Sequence, residues 1–255
     1  GAGKLCADTA LLRREWKHSL DASLAGAKAP LLADDNVRLV WYADVLDPSA
    51  RNECVAQTKP VEEMDLGDLA RGFFSSLTEL TDGHEGDDAR GLMGEVLYFL
   101  DDSMRCGTRR RLAREIQSAL DANRPVIVVA YSLGAMVAYD YLRTTALPAE
   151  APDIHLVTVG SLLGTREIRD LLFGDGGLSP SLPSGVASWV NVYDPNDPFA
   201  APFGVAAIED RRTTTSYNGN AHYVGRYLRD PATASAVGRA LCLAAGNPAA
   251  DCPWK

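Results

Sequence analysis

The stretch "VIVVAYSLGAMVAYDYL", residues 126–142, decides how the rest of the chain is read. Residues 126–130 form a β-branched run, and 134–143 carry a helical pattern. A single serine, Ser132, separates the two. It has Ala130 two residues before it and Gly134 two residues after it. A strand that reverses straight into a helix forces the residue at the turn into a sparsely populated backbone conformation. Its neighbours two away must be small, because the backbones nearly touch. Such a turn holds the serine hydroxyl at a helix N-terminus, where free N–H groups favour developing negative charge.

Working outward, strands alternate with helices. "TALLRREWKHSLDASLA" (9–25) places Leu12, Trp16 and Leu20 on one helical face. "VRLVWYA" (37–43) reads as a strand buried on both faces. The segment 44–108 holds two helical patterns, at 66–80 and 89–104, and reads as a helical insertion or cap within one domain spanning 1–255. Arg109–Arg111 read as the solvated start of a helix over 109–122. After strand 126–130 and helix 134–143 come a strand at 154–160, a helix at 166–173, a strand at 188–193 and a helix at about 231–245. The loop 174–185 falls beside the functional edge. This alternation predicts an α/β, doubly wound, mostly parallel sheet with helices on both faces.

Composition sets bounds on function. The 255 residues are 46% hydrophobic and 23% charged, with a formal net charge of −9, which disfavours a nucleic-acid partner. No apolar run reaches the ~20 residues of a membrane helix. The five cysteines show no metal-ligand spacing, so neither metal nor cofactor is expected. Most of them read as reduced packing residues, and the compartment is left open, with the cytoplasm slightly favoured. Export is the alternative if Cys242 and Cys252 form a disulfide.

Ala130-Tyr131-Ser132-Leu133-Gly134 resembles the nucleophile elbow G-x-S-x-G of the α/β-hydrolase superfamily, with alanine in place of the first glycine. "HLVTVGSLLG" (155–164) resembles the strand and loop that follow the elbow helix in lipase-type members. "WVNVYDPNDPFA" (189–200) resembles their acid loop. Asp197-Pro198 matches its Asp-Pro step, with Asp194-Pro195 as the nearer competitor, read otherwise as a turn residue. His222, in "NGNAHYVGRYL", stands where the family places its catalytic histidine. His155 reads as a core residue, and His18 and His84 precede the elbow.

The resemblance therefore implies a lipase- or esterase-like serine hydrolase with the triad Ser132, Asp197 and His222. The oxyanion hole would come from the N–H groups of Leu133 and, in "GAGKL", of Ala2. The substrate would be a small-molecule or lipid ester. An acyltransferase using the same triad, or a lapsed hydrolase fold serving as a binding module, are the alternatives.

Overall fold

The computed structural model describes residues 8–42, 45, 98, 102–148, 150–165, 181–214 and 221–254. The expected helices at 66–80 and 166–173 lie outside these residues, as do the N-terminal "GAGKL" and most of the segment 44–108. The chain divides into two compact units. One comprises Gly1–Ala7 and Trp41–Arg111, the other Asp8–Val40 and Leu112–Lys255.

In the first unit, Tyr98 and Met104 are buried, and Arg111 Nη1 donates to the Trp41 carbonyl at 2.9 Å. Residues 102–111 open helix α2, Asp102–Asp121.

The second unit is built on four parallel strands: β1 (Val126–Tyr131), β2 (Ile154–Val159), β3 (Val186–Tyr193) and β4 (Glu209–Arg212). They lie side by side in chain order, all parallel. Helix α3 (Leu133–Thr144) follows β1 directly. Helix α1 (Thr9–Gly26) is started by Asp8, whose carboxylate accepts from the Ala10 and Leu11 N–H groups at 2.9 and 3.0 Å. Two helices follow β4: α4 (Val224–Arg229) and α5 (Pro231–Ala244). Asp230 caps α5 and Pro231 occupies its first turn, where a missing N–H costs nothing.

Strand alternation sends Val157, Val159, Val190 and Val192 to one face. There they pack with Leu20 and Leu24 of α1 and Ala236 and Val237 of α5. Each fully buried aliphatic side chain of this kind contributes about 1.5–3 kcal/mol. The opposite face carries Trp189, packed 5.1 Å from the Tyr139 ring of α3 and 5.0 Å from Phe203. Its indole N–H donates to Thr158 Oγ1 at 3.0 Å.

Three expectations are corrected. Residues 37–42 form no strand: the carbonyls of Val37 and Trp41 accept from arginine side chains rather than from a ladder, and Arg38 is exposed. Helix α2 begins at Asp102, so Arg109–Arg111 lie inside it. Met104 and Thr108 extend the buried stripe of Leu112, Ile116 and Leu120 toward the N-terminus. Cys242 and Cys252 form a disulfide, and Cys106 is also disulfide-bonded, so all three described cysteines are oxidised.

One element went unforeseen. "EDRR" (209–212) has no strand pattern, yet it pairs with β3 from Val190↔Glu209 to Tyr193↔Arg212. Pairing rather than side-chain alternation makes it a strand, and charge is tolerated at a sheet edge.

Candidate active site

Ser132 sits between the last residue of β1 and the first of α3, with φ 52° and ψ −126°. A non-glycine residue in that region stores strain of about 1–3 kcal/mol and persists only where its surroundings over-determine it. Here the Ser132 N–H donates to the Val159 carbonyl on β2 at 3.2 Å, and the Ser132 carbonyl accepts from Ala135 at 2.8 Å. Both hydrogen bonds fix the turn from outside the serine side chain. Ala130, two residues before it, is buried.

The other two residues come from loops at the same carboxyl edge of the sheet, where parallel α/β sheets place their ligands. Asp197 lies on the loop leaving β3, and His222 just ahead of α4. His222 Nε2 is 2.9 Å from Ser132 Oγ, and its Nδ1 is 2.8 Å from Asp197 Oδ2. The Asp197 side chain is fully buried, while that of His222 is 19% exposed. The imidazole therefore reaches solvent, and the carboxylate does not.

Neighbouring groups fix the histidine. Tyr131, next to the serine, donates its hydroxyl to the His222 carbonyl at 2.7 Å. Its ring lies 5.0 Å from the imidazole, and Phe199 meets the imidazole edge-on, also at 5.0 Å. Asp197 Oδ1 accepts from the Phe199 N–H at 2.9 Å.

Asp194 takes a different part. It is buried in an ion pair with Arg226, and its Oδ1 accepts from the Asn196 N–H at 2.9 Å. Arg226 also donates to the Ala221 carbonyl at 3.3 Å. The pair thus ties the acid loop to the residue preceding His222. Asp194 makes the Asx turn expected of it, but its principal partner is a cation the sequence did not point to.

The Leu133 N–H opens α3 and has no acceptor within the helix, so it is free to meet an oxyanion. Ala2 lies outside the described residues. His155 is buried on β2 with Nδ1 2.8 Å from Ser188 Oγ, and burial pushes its pKa below the usual histidine value. His18 is exposed on α1, and His84 falls outside the described residues.

Two site residues escaped the sequence reading. Tyr227 and Arg226 sit on α4 and reach Asp197 and Asp194 respectively. Their only sequence signal is that they follow His222 by four and five residues. Among the described residues, no cluster of three His, Cys, Asp or Glu side chains could hold a metal ion, and no helix is long and apolar enough to cross a membrane. No family model, curated protein or solved structure matches this chain.

Proposed function

We propose that the chain is a lipase- or esterase-like serine hydrolase on an α/β-hydrolase fold, cleaving carboxylic esters through an acyl-Ser132 intermediate. The observation that carries this reading is the unbroken hydrogen-bond chain Ser132–His222–Asp197, with the serine held at a strained strand-to-helix turn. A structural serine has no need of that backbone conformation.

Ser132 Oγ attacks the ester carbonyl as His222 Nε2 takes its proton, because a neutral hydroxyl is a weak nucleophile. A bond forms between Oγ and the acyl carbon, and the carbonyl oxygen becomes an oxyanion. The Leu133 N–H meets that charge, a contribution of about 10²–10³ in rate for such a donor. Collapse breaks the bond to the leaving oxygen, which takes the proton from His222. Water then repeats the sequence, releasing the acid and restoring Ser132. Throughout, Asp197 holds the imidazole tautomer and stabilises the imidazolium.

Phe199 against His222 and the exposed Tyr223 beside it put aromatic surface at the site. That supports an apolar acyl or lipid ester as substrate. The oxidised cysteines support a working place in an oxidising compartment.

The test is labelling with a fluorophosphonate, read by peptide mass spectrometry, beside hydrolysis of esters of graded acyl length. One adduct, on the Ser132 peptide and absent in Ser132→Ala, is expected, with hydrolysis lost in the same variant. A folded protein that takes no label and cleaves no ester overturns the proposal. Labelling without hydrolysis, but with transfer to an added alcohol, identifies an acyltransferase.

A further inference from the structure

A buried tyrosine needs a partner for its hydroxyl, and which partner it takes defines its work. Tyr227 is 1% exposed. Its hydroxyl donates to Asp197 Oδ2 at 2.6 Å and accepts from the Asp194 N–H at 3.1 Å. Oδ2 is the same oxygen that faces His222 Nδ1. With Phe199 N–H on Oδ1, the carboxylate has donors on both oxygens and no freedom to turn.

Space for the ring is made by Gly160, which has φ 57° and bonds through its N–H to the Val192 carbonyl at 3.1 Å. A Cβ there would lie 2.9 Å from Tyr227 Cε2 and 3.2 Å from Tyr131 Cε2. Burial first, and then the charge of Asp197 beside it, push the Tyr227 phenol far above its ordinary pKa. It therefore stays protonated and stays a donor at every pH the protein meets. The other charged or titratable groups around the contact, among the described residues, are Asp194 with its partner Arg226, and Tyr131.

We infer that Tyr227 is a positioning residue, pinning the Asp197 carboxylate toward His222 and sharing the charge on the oxygen that receives the imidazole N–H. The inference rests on the hydrolase reading for its kinetic consequence, but not for its structural one. A carboxylate anchored only by Phe199 turns about its own bond and leaves His222 unaligned for part of the time. Charge sharing has a separate signature. A hydroxyl bonded to Oδ2 weakens the hydrogen bond that the same oxygen accepts from the imidazole.

The experiment compares wild type, Tyr227→Phe and protein with 3,5-difluorotyrosine at position 227. The fluorinated residue keeps the ring and is a stronger donor, so it serves even if the phenylalanine variant folds poorly. Two quantities are read: the proton resonance of His222 Nδ1–H without substrate, and kcat and KM for an ester. Tyr227→Phe should move the resonance downfield and difluorotyrosine upfield. In Tyr227→Phe, kcat should fall roughly tenfold with KM unchanged, the scale on which a hydrogen bond to a charged group counts. A resonance that stays put in both proteins, or moves the same way in both, overturns the inference. A wild type that cleaves no ester while the resonance moves in opposite directions upholds the positioning and overturns the hydrolase reading.

Discussion

Two Asp-Pro steps stand three residues apart on one loop, and their aspartates have opposite partners. Asp194 and Asp197 are both almost wholly buried, at 1% and 2% exposure. Asp194 faces the permanent cation of Arg226, whereas Asp197 faces a tyrosine hydroxyl and a histidine that can gain and lose a proton. Burying a carboxylate is expensive unless it is paired and hydrogen-bonded, and both are. A fixed cation makes one of them a structural tie. An imidazole partner gives the other its place in the proposed proton transfer. Identical dipeptides therefore acquire different work from what the following helix presents to them, and α4 presents both.

The comparison breaks most sharply at the carboxylates. Asp197→Asn should lower kcat by about 10⁴, the scale for the acid of such a triad, because the amide favours the wrong imidazole tautomer. Asp194→Asn should change kcat far less but cost about 3–5 kcal/mol of stability, since it removes the carboxylate charge that faces buried Arg226. Steady-state kinetics and urea unfolding of the two variants read both halves. Equal kinetic losses would remove the distinction.

Gly160→Ala sharpens the comparison on the side of Asp197. It strains a backbone with φ 57° and pushes a methyl group against the Tyr227 ring. A loss of about 1–3 kcal/mol in urea unfolding is expected, accompanied by a fall in kcat. A stability loss with kcat intact would show that the ring can yield without disturbing Asp197.

The histidines repeat the contrast on a smaller scale. His222 has partners on both nitrogens, whereas His155 is buried with one, at Nδ1. Burial lowers the His155 pKa, against a smaller upward pull from Asp153. The unfolded chain then binds more protons at low pH. Stability is fully present above the unfolded value of about 6.5 and declines as pH falls below it, until the folded value is passed. The difference in unfolding free energy between wild type and His155→Gln should show that slope. A difference independent of pH from 5 to 8 would mean the ring is not desolvated.

What the sequence disclosed about these regions follows the range of the interactions. The strand–serine–helix at 126–142 is local, so β-branching, small neighbours and helical periodicity expose it directly. Asp197 and His222 follow from the resemblance of their loops to those of the hydrolase family; the structure places His222 within hydrogen-bond reach of Ser132, and Asp197 within reach of His222. Asp194 had no signal of its ion pair, because Arg226 lies 32 residues away and meets it only in three dimensions. Tyr227 looks like any core tyrosine on a short helix until the acid loop is laid against it. The segment at 37–42 failed in the opposite sense: its residues favour a strand, but a strand also requires a neighbour to pair with. The "EDRR" of β4 shows the converse, a neighbour without the propensity.

The backbone at Ser132 carries an evolutionary consequence. With φ 52°, position 132 is one where the fold by itself would favour glycine, the residue that enters this region without steric penalty. Mutational drift toward glycine there would relax the turn rather than damage it. A lineage released from selection for the hydroxyl would thus find its easiest route at this codon, keeping the sheet and helices while losing the proposed nucleophile. The serine is the residue that stability alone would not keep.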